Sequence, residues 1–282
     1  MILPGQRTSL NYGNLINRSM AARLGIVSAY FNLPLRRGGA KWFDAYSTNH
    51  GALTNGPTWS GLARPGGWGS LAFAGSASRE QIDCGDVLFF PNDFTVSFWV
   101  YKRASSVAYS NLWGAGRWNT GASAGTNEYT ILLADGATGN NDTPELAIEV
   151  GVTTYTATSS TALTLNTWTM LTGTRIGGTI TLYMNSSQVA QNTGASATAI
   201  TNRSRNFKVA DSDIAVALNS NALFDGVLAT NRGLASAEVT ALYDESRAGY
   251  PTLFNRIGRP LVGPAAAAGS LPHHLNLLGC GV

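Results

Sequence analysis

Short apolar runs recur along the chain, separated by polar and glycine-rich stretches. In the segment 94–101 every second side chain is apolar, so one set of side chains can cover one face of a strand. That set is Phe94, Val96, Phe98 and Val100. Further strand-like runs lie at 24–31, 70–74, 81–84, 112–115, 129–133, 145–150, 152–156, 205–210, 213–218 and 223–229. Such regular spacing predicts an all-β sandwich or barrel rather than alternating βαβ units.

One pair of runs has the pattern of a tight hairpin. The run 168–175 and the run 179–185 are separated by Ile176 and the dipeptide Gly177-Gly178. Glycine adopts the positive φ that a two-residue hairpin turn requires. The sequence therefore predicts two antiparallel neighbours here.

A single short helix is predicted, at residues 236–245. Ser236 is a suitable N-cap residue, and Val239, Leu242 and Tyr243 share one face at helical spacing. Because so short a helix is marginal alone, we expect it to dock on the sandwich.

The two ends of the chain differ from its middle, which divides it into three parts. Residues 1–23 are polar and aperiodic and are interpreted as an N-terminal arm, and residues 24–246 as the sandwich. Residues 247–282 form a C-terminal tail, low in complexity at 264–270 and apolar without a period at 271–282. An extended tail that docks on a partner and a disordered end both fit this composition.

Composition narrows the class of protein. Charged residues make up 12% of the chain, against about 25% in average soluble domains. The net charge of +3 is too small to indicate a nucleic-acid surface, so no nucleic-acid partner is expected. No apolar run is long enough to span a membrane. The first residues lack the pattern of a secretory signal, so synthesis in the cytoplasm without a signal peptide is expected. The two cysteines, Cys84 and Cys280, are expected to be free thiols.

Residues suited to catalysis are sparse, and we expect no enzymatic activity. Glu145 and Glu149 share one face of a predicted strand, about 13 Å apart at the usual rise per residue. Glycoside hydrolysis needs carboxylates about 5 Å or 6.5–9.5 Å apart. The three histidines are His50 and the adjacent pair His273 and His274, and no nucleophile-elbow or P-loop motif occurs.

Several segments, in the same order, resemble laminin-G-like jelly-roll domains of the concanavalin A-like class. The opening strand 25–31, the loop 47–59 and the strand 94–100 are similar to that family's characteristic stretches. The hairpin 168–185 and the segment 225–243 are similar as well. The resemblance implies a two-sheet antiparallel jelly-roll sandwich with one short C-terminal helix and extended N- and C-terminal arms.

The resemblance also implies a calcium ion, held by an aspartate before the loop and a second one in a late strand. Asp44 and Asp225 hold these positions, although Asp44 is one residue closer to Gly51 than the family pattern, and Ala74 replaces a further acidic residue. Backbone carbonyls supply several calcium ligands in many proteins. The alternative is that both aspartates cap turns.

The family implies binding, adhesive or structural roles. Tyr250-Pro251, followed by residues 254–257, resembles the ends of laminin-G-like proteins encoded by tailed phages. We therefore expect a virion component, such as a capsid decoration, head fibre or tail-fibre module. A homo-oligomer, with a trimer as the expected form, would contact other virion proteins through its arm and tail.

The alternative is a secreted carbohydrate-binding or adhesion module, and a virion protein can also bind host glycans. Exposed aromatic side chains stack on sugars, whereas buried ones only pack. The candidates in loop-like stretches are Trp59, Trp68, Trp113 and Trp118.

Overall fold

The computed structural model describes most of the chain between residues 16 and 254. The described residues are 16–32, 39–74, 80–104, 114–118, 129–136, 140–202, 204–210, 221–251 and 253–254. Within these ranges the chain forms two antiparallel sheets of eight strands each. The predicted all-β sandwich is thereby confirmed, whereas the predicted strand at 213–218 lies outside the described residues.

The first sheet is centred on the strand predicted most clearly from the sequence. In spatial order its strands are β14 (Ser187–Asn192), β13 (Thr179–Met184), β12 (Trp168–Ile176), β7 (Phe94–Lys102), β16 (Asn221–Thr230), β5 (Ser70–Ala74) and β4 (Thr58–Ser60), with β1 (Ile26–Tyr30) also paired to β16. The predicted hairpin is confirmed as β12 and β13. Ile176 pairs with Thr179, which leaves Gly177 and Gly178 as the turn.

The second sheet lies across the core from the first. Its strands, in spatial order, are β11 (Thr153–Thr158), β10 (Asn140–Val150), β9 (Tyr129–Gly136), β8 (Gly114–Trp118), β15 (Phe207–Val209), β6 (Gln81–Asp83), β3 (Gly51–Thr54) and β2 (Lys41–Trp42). The main core lies between the sheets and includes the predicted apolar set of β7. Alternation places Phe98 in this core and Trp99 on the opposite face.

A second apolar cluster covers that opposite face of the first sheet. Helix α2 (Ser236–Arg247) confirms the predicted helix and buries Val239 and Leu242, while Tyr243 stacks on Trp99 at a ring distance of 5.7 Å. The predicted N-cap is wrong by one residue. Ala235 is the N-cap, and its backbone N–H donates to the side chain of Glu238 at 3.0 Å. The glutamate thus satisfies the N–H of the N-cap residue, while Ala235 has no side-chain oxygen to accept from the first N–H groups of the helix.

An unexpected helix, α1 (Arg18–Leu24), lies in the segment interpreted as an arm. Asn17 caps it by accepting a hydrogen bond from the N–H of Met20 at 3.2 Å, and Gly25 ends it at a φ of +66°. Its buried residues, Ala21 and Leu24, join the second cluster. Residues 1–15 of the predicted arm and 255–282 of the predicted tail lie outside the described residues.

The two ends of the described chain lie side by side. The N–H of Asn17 donates to the carbonyl of Leu253 at 2.7 Å, and Ile16 forms a β-bridge with Phe254. Among the described residues, no helix has the length and apolar character needed to cross a bilayer.

Candidate functional site

Asp44 organises the turn that follows β2. Its Oδ1 accepts hydrogen bonds from the backbone N–H groups of Ala29, Tyr46 and Ser47, at distances of 2.8–3.0 Å. Its Oδ2 accepts from the hydroxyls of Ser28 and Ser47. The side chain is 1% exposed, so this carboxylate is buried and surrounded by donors from its own chain.

His50 completes the same turn. Its Nδ1 accepts a hydrogen bond from the N–H of Asp44 at 3.2 Å, and its ring packs edge-on against Phe43 at 4.9 Å. The hydroxyl of Tyr30 donates to the carbonyl of Asn49 beside it. These contacts hold the turn at residues 44–50 against strand β1.

Asp225 lies in β16 and forms a separate buried cluster. Its Oδ2 accepts from Nε of Arg64 at 2.7 Å, and its Oδ1 accepts from the backbone N–H and the side-chain amide of Asn32 at 3.1 and 3.0 Å. Burial raises the pKa of the Asp225 carboxyl, and the guanidinium of Arg64 opposes that rise.

The guanidinium of Arg64 connects this cluster to α2. Its Nη1 donates to the carbonyl of Ser246 at 2.6 Å. Its Cζ lies 5.7 Å from the ring centre of Trp99 and 5.2 Å from that of Tyr250. Cation–π contacts of this kind are favourable when the cation is removed from water. The cluster therefore joins a loop, a central strand and the end of a helix.

The residues implied for calcium do not fit a shared ion in this geometry. Asp44 and Asp225 have no hydrogen-bond partner in common. Arg64 contributes a positive charge at the carboxylate of Asp225, where calcium would need an oxygen-lined space. Among the described residues, no group of three or more histidine, cysteine or acidic side chains is placed to hold a metal. Calcium binding stays a prediction for measurement.

The carboxylates considered for catalysis lie on β10, as the sequence indicates. Glu145 is opposite Thr158 of β11, and Glu149 is opposite Thr154. The hydroxyl of Thr158 donates to Glu145 at 2.6 Å, and burial raises the pKa of this carboxyl. The four-residue spacing along one strand is as expected, and the absence of catalysis stays a prediction.

The aromatic and thiol candidates have different environments. Trp59 is half-buried and donates to the carbonyl of Gly39 at 3.4 Å, and Trp68 packs edge-on against Phe254. Cys84 is a free, buried thiol, as predicted, and burial raises its pKa to about 12. Trp118 ends β8. The candidates Trp113, His273, His274 and Cys280 lie outside the described residues.

A groove between α1 and α2 is a surface that the sequence interpretation missed. It encloses about 250 Å³. Its lining residues are Met20, Arg23, Leu24, Ala237, Glu238, Ala241, Leu242, Glu245, Tyr250 and Leu253. Five of these residues lie in the predicted helix α2, although only Leu242 belongs to its predicted apolar face. Met20 and Arg23 lie in the polar segment 1–23, which gave no helical signal.

Comparison with protein families gives one match. The family described as the concanavalin A-like lectin/glucanases superfamily (Laminin_G_3) matches residues 74–240, more than half of the chain. The comparison with curated proteins finds no match.

Solved structures with a similar fold include toxin binding domains and a sialidase. The binding domain of Paraclostridial Mosquitocidal Protein 1 superposes with a TM-score of 0.59 at 14% identity, over 79% of this chain and 52% of that one. The binding domain of botulinum neurotoxin serotype D gives 0.55 at 12% identity, over 81% and 53%. The Trypanosoma rangeli sialidase gives 0.53 at 14% identity, over 79% and 33%. The chain thus spans about half of the toxin domains and a third of the sialidase, and the likeness establishes the fold alone.

Proposed function

Because this chain belongs to the concanavalin A-like lectin/glucanase superfamily, we propose that it is a non-enzymatic structural and binding protein. In this proposal the sandwich is displayed on a phage particle as a capsid decoration, a head fibre or a tail-fibre module. Its partners are further copies of the chain, in a homo-oligomer expected to be a trimer, and other particle proteins.

The observation that carries the proposal is the contact between the two ends of the sandwich. Asn17 and Leu253 are joined by a backbone hydrogen bond, and Ile16 pairs with Phe254. Residues 1–15 and 255–282 therefore continue from adjacent points on one side of the body. A body attached through both segments would leave its remaining surface available to a ligand, as a displayed module requires.

The burial of Asp44 and Asp225 supports a structural rather than a catalytic role for these two carboxylates. General acid–base chemistry needs a titratable group that reaches a substrate. Asp44 and Asp225 instead accept hydrogen bonds from their own chain and are 1% exposed. Both side chains thus support the architecture of the sandwich.

The proposal is tested on phage particles purified by density gradient from a lysate in which the chain is produced. An antibody against the full chain should label these particles by immunogold microscopy, and mass spectrometry should find the chain in stoichiometric amount. Light scattering of the purified chain should give the mass of three copies. A monomer that is missing from the particles and does not bind them when added would refute the proposal.

A second candidate function is that of a secreted carbohydrate-binding or adhesion module. It is favoured by the similar structures, which include a binding domain of a neurotoxin and a sialidase described in complex with sialic acid. A glycan array that includes sialylated glycans, probed with and without calcium, tests this function. Trp59→Ala should reduce binding if its half-buried ring stacks on a sugar, whereas Leu62→Ala provides an exposed control. If no glycan on the array is bound, either with or without calcium, this second function is contradicted.

A further inference from the structure

The groove between α1 and α2, here called the helix groove, has an apolar floor and small residues on one wall. Leu24, Leu242 and Leu253 are buried and line it. Ala237 and Ala241 are exposed and lie one helical turn apart on α2. Because alanine side chains are short, another segment of chain can approach this wall closely.

The size and rim of the helix groove limit what it can hold. Its volume of about 250 Å³ is below the range of about 300–1,000 Å³ that is usual for small-molecule sites. Charged groups stand at its edge, and Glu238 is paired with Arg232 at 2.6 Å. An occupant with a few apolar side chains and no strong charge of its own fits these features.

One segment of this chain has that chemistry. From residue 260 to residue 282 the sequence contains no Asp, Glu, Lys or Arg. Its last part includes Leu271, Leu275, Leu277 and Leu278. Burial of leucine side chains is favourable in proportion to the apolar area removed from water, so these four residues favour any surface that covers them.

The same segment is attached next to the groove. Leu253 is itself a lining residue, and residue 271 follows eighteen positions later. For random-coil linkers of that length the root-mean-square distance between the two ends is about 20–25 Å, so eighteen positions are enough for the segment to reach the groove. Such a linker gives a local concentration of about 1 mM, which exceeds that of a second copy in dilute solution.

We propose that the leucine-rich segment 271–282 docks in the helix groove of its own chain. In the free protein this contact covers the leucine-rich segment. Any partner that binds in the helix groove must displace the segment. The inference concerns the isolated chain and does not depend on where the protein is displayed.

Cysteine trapping in the full-length chain tests the proposal, because the segment carries Cys280. Ala241→Cys places a thiol in the groove wall. Thr240→Cys is the matched control, since Thr240 is the preceding residue of α2 and is exposed but does not line the groove. The native Cys84 is buried and is not expected to react with a mild oxidant such as diamide.

The expected result is a disulfide within one chain that forms about tenfold faster in Ala241→Cys than in Thr240→Cys. The linker raises the local concentration of Cys280 equally in both variants, so this difference measures docking in the groove, which residue 241 lines and residue 240 does not. Peptide mapping should identify Cys280 as its partner. Equal rates in the two variants would overturn the proposal. A disulfide between two chains would also overturn it, because the occupant would then be a second copy.

Hydrogen exchange gives an independent measurement. Removing residues 271–282 leaves the described sandwich unchanged in sequence, and should increase exchange several-fold in peptides covering α1 and α2. Replacing Leu275, Leu277 and Leu278 by Ser should reproduce this increase. Unchanged exchange in both variants, with an unchanged melting temperature, would overturn the proposal.

Discussion

Arg64 and Asp225 form a buried ion pair in which Nε of the arginine lies 2.7 Å from Oδ2 of the aspartate. Both side chains are almost fully withdrawn from solvent. Through the bond from Arg64 to the carbonyl of Ser246, the pair also secures the end of α2. It is thus one of the contacts that hold the second apolar cluster on the outer face of the first sheet.

Removing one member of this pair should be costly. Arg64→Met keeps much of the side-chain volume but leaves Asp225 buried without its counter-charge, so we expect a loss of about 3–5 kcal/mol in the free energy of unfolding. Urea denaturation measures this loss.

Two further variants control for that experiment. Arg232→Met breaks the pair with Glu238, whose side chains are 35% and 38% exposed, and should cost at most about 1 kcal/mol. The double variant Arg64→Met with Asp225→Leu should recover much of the stability, since no buried charge remains. Equal losses for Arg64→Met and Arg232→Met would contradict this account of the pair.

Gly66 should not tolerate a side chain. It has a φ of +70°, and a Cβ atom there would lie 2.3 Å from the backbone oxygen of Arg247. Gly66→Ala should therefore push the loop that contains residue 66 away from the end of α2 and lower the melting temperature by several degrees. Gly61→Ala, at a position with open space around it, should change the melting temperature little. A neutral Gly66→Ala would show that the loop and the helix are not packed as described.

Stability should fall at alkaline pH, in part because of Tyr250. Burial raises the pKa of its hydroxyl from the ordinary value of 10.0 to about 12. Between these values the unfolded chain releases a proton that the folded chain retains, so the free energy of unfolding decreases as the pH rises through this window. In the Tyr250→Phe variant the free energy of unfolding, measured with urea, should decrease less between pH values of about 10 and 12. Identical pH profiles for the two proteins would contradict the assignment.

Calcium should have little effect on the folded protein if the described geometry is retained. Asp44 accepts five hydrogen bonds from its own chain, and Asp225 is paired with Arg64. We expect the melting temperature in millimolar calcium to match that in EGTA. A calcium-dependent rise that disappears in Asp44→Asn would contradict this expectation and show that Asp44 takes part in calcium binding after a rearrangement of the turn.

Local patterns were sufficient for much of the fold. The alternation in β7 and the glycine pair between β12 and β13 are properties of adjacent residues, so both were predicted. Helix α1 was not, because the burial of Ala21 and Leu24 depends on Tyr250 and Leu253, which are more than 200 positions away in the sequence.

The sequence by itself therefore determined much of the strand pattern, the hairpin, helix α2 and the family, since each is encoded in residues close together along the chain. Only the tertiary structure decided that Asp225 meets Arg64 rather than Asp44, and that α1 and α2 enclose a groove. Both facts depend on contacts between distant segments, and such contacts form only once the two sheets have packed and brought those segments together.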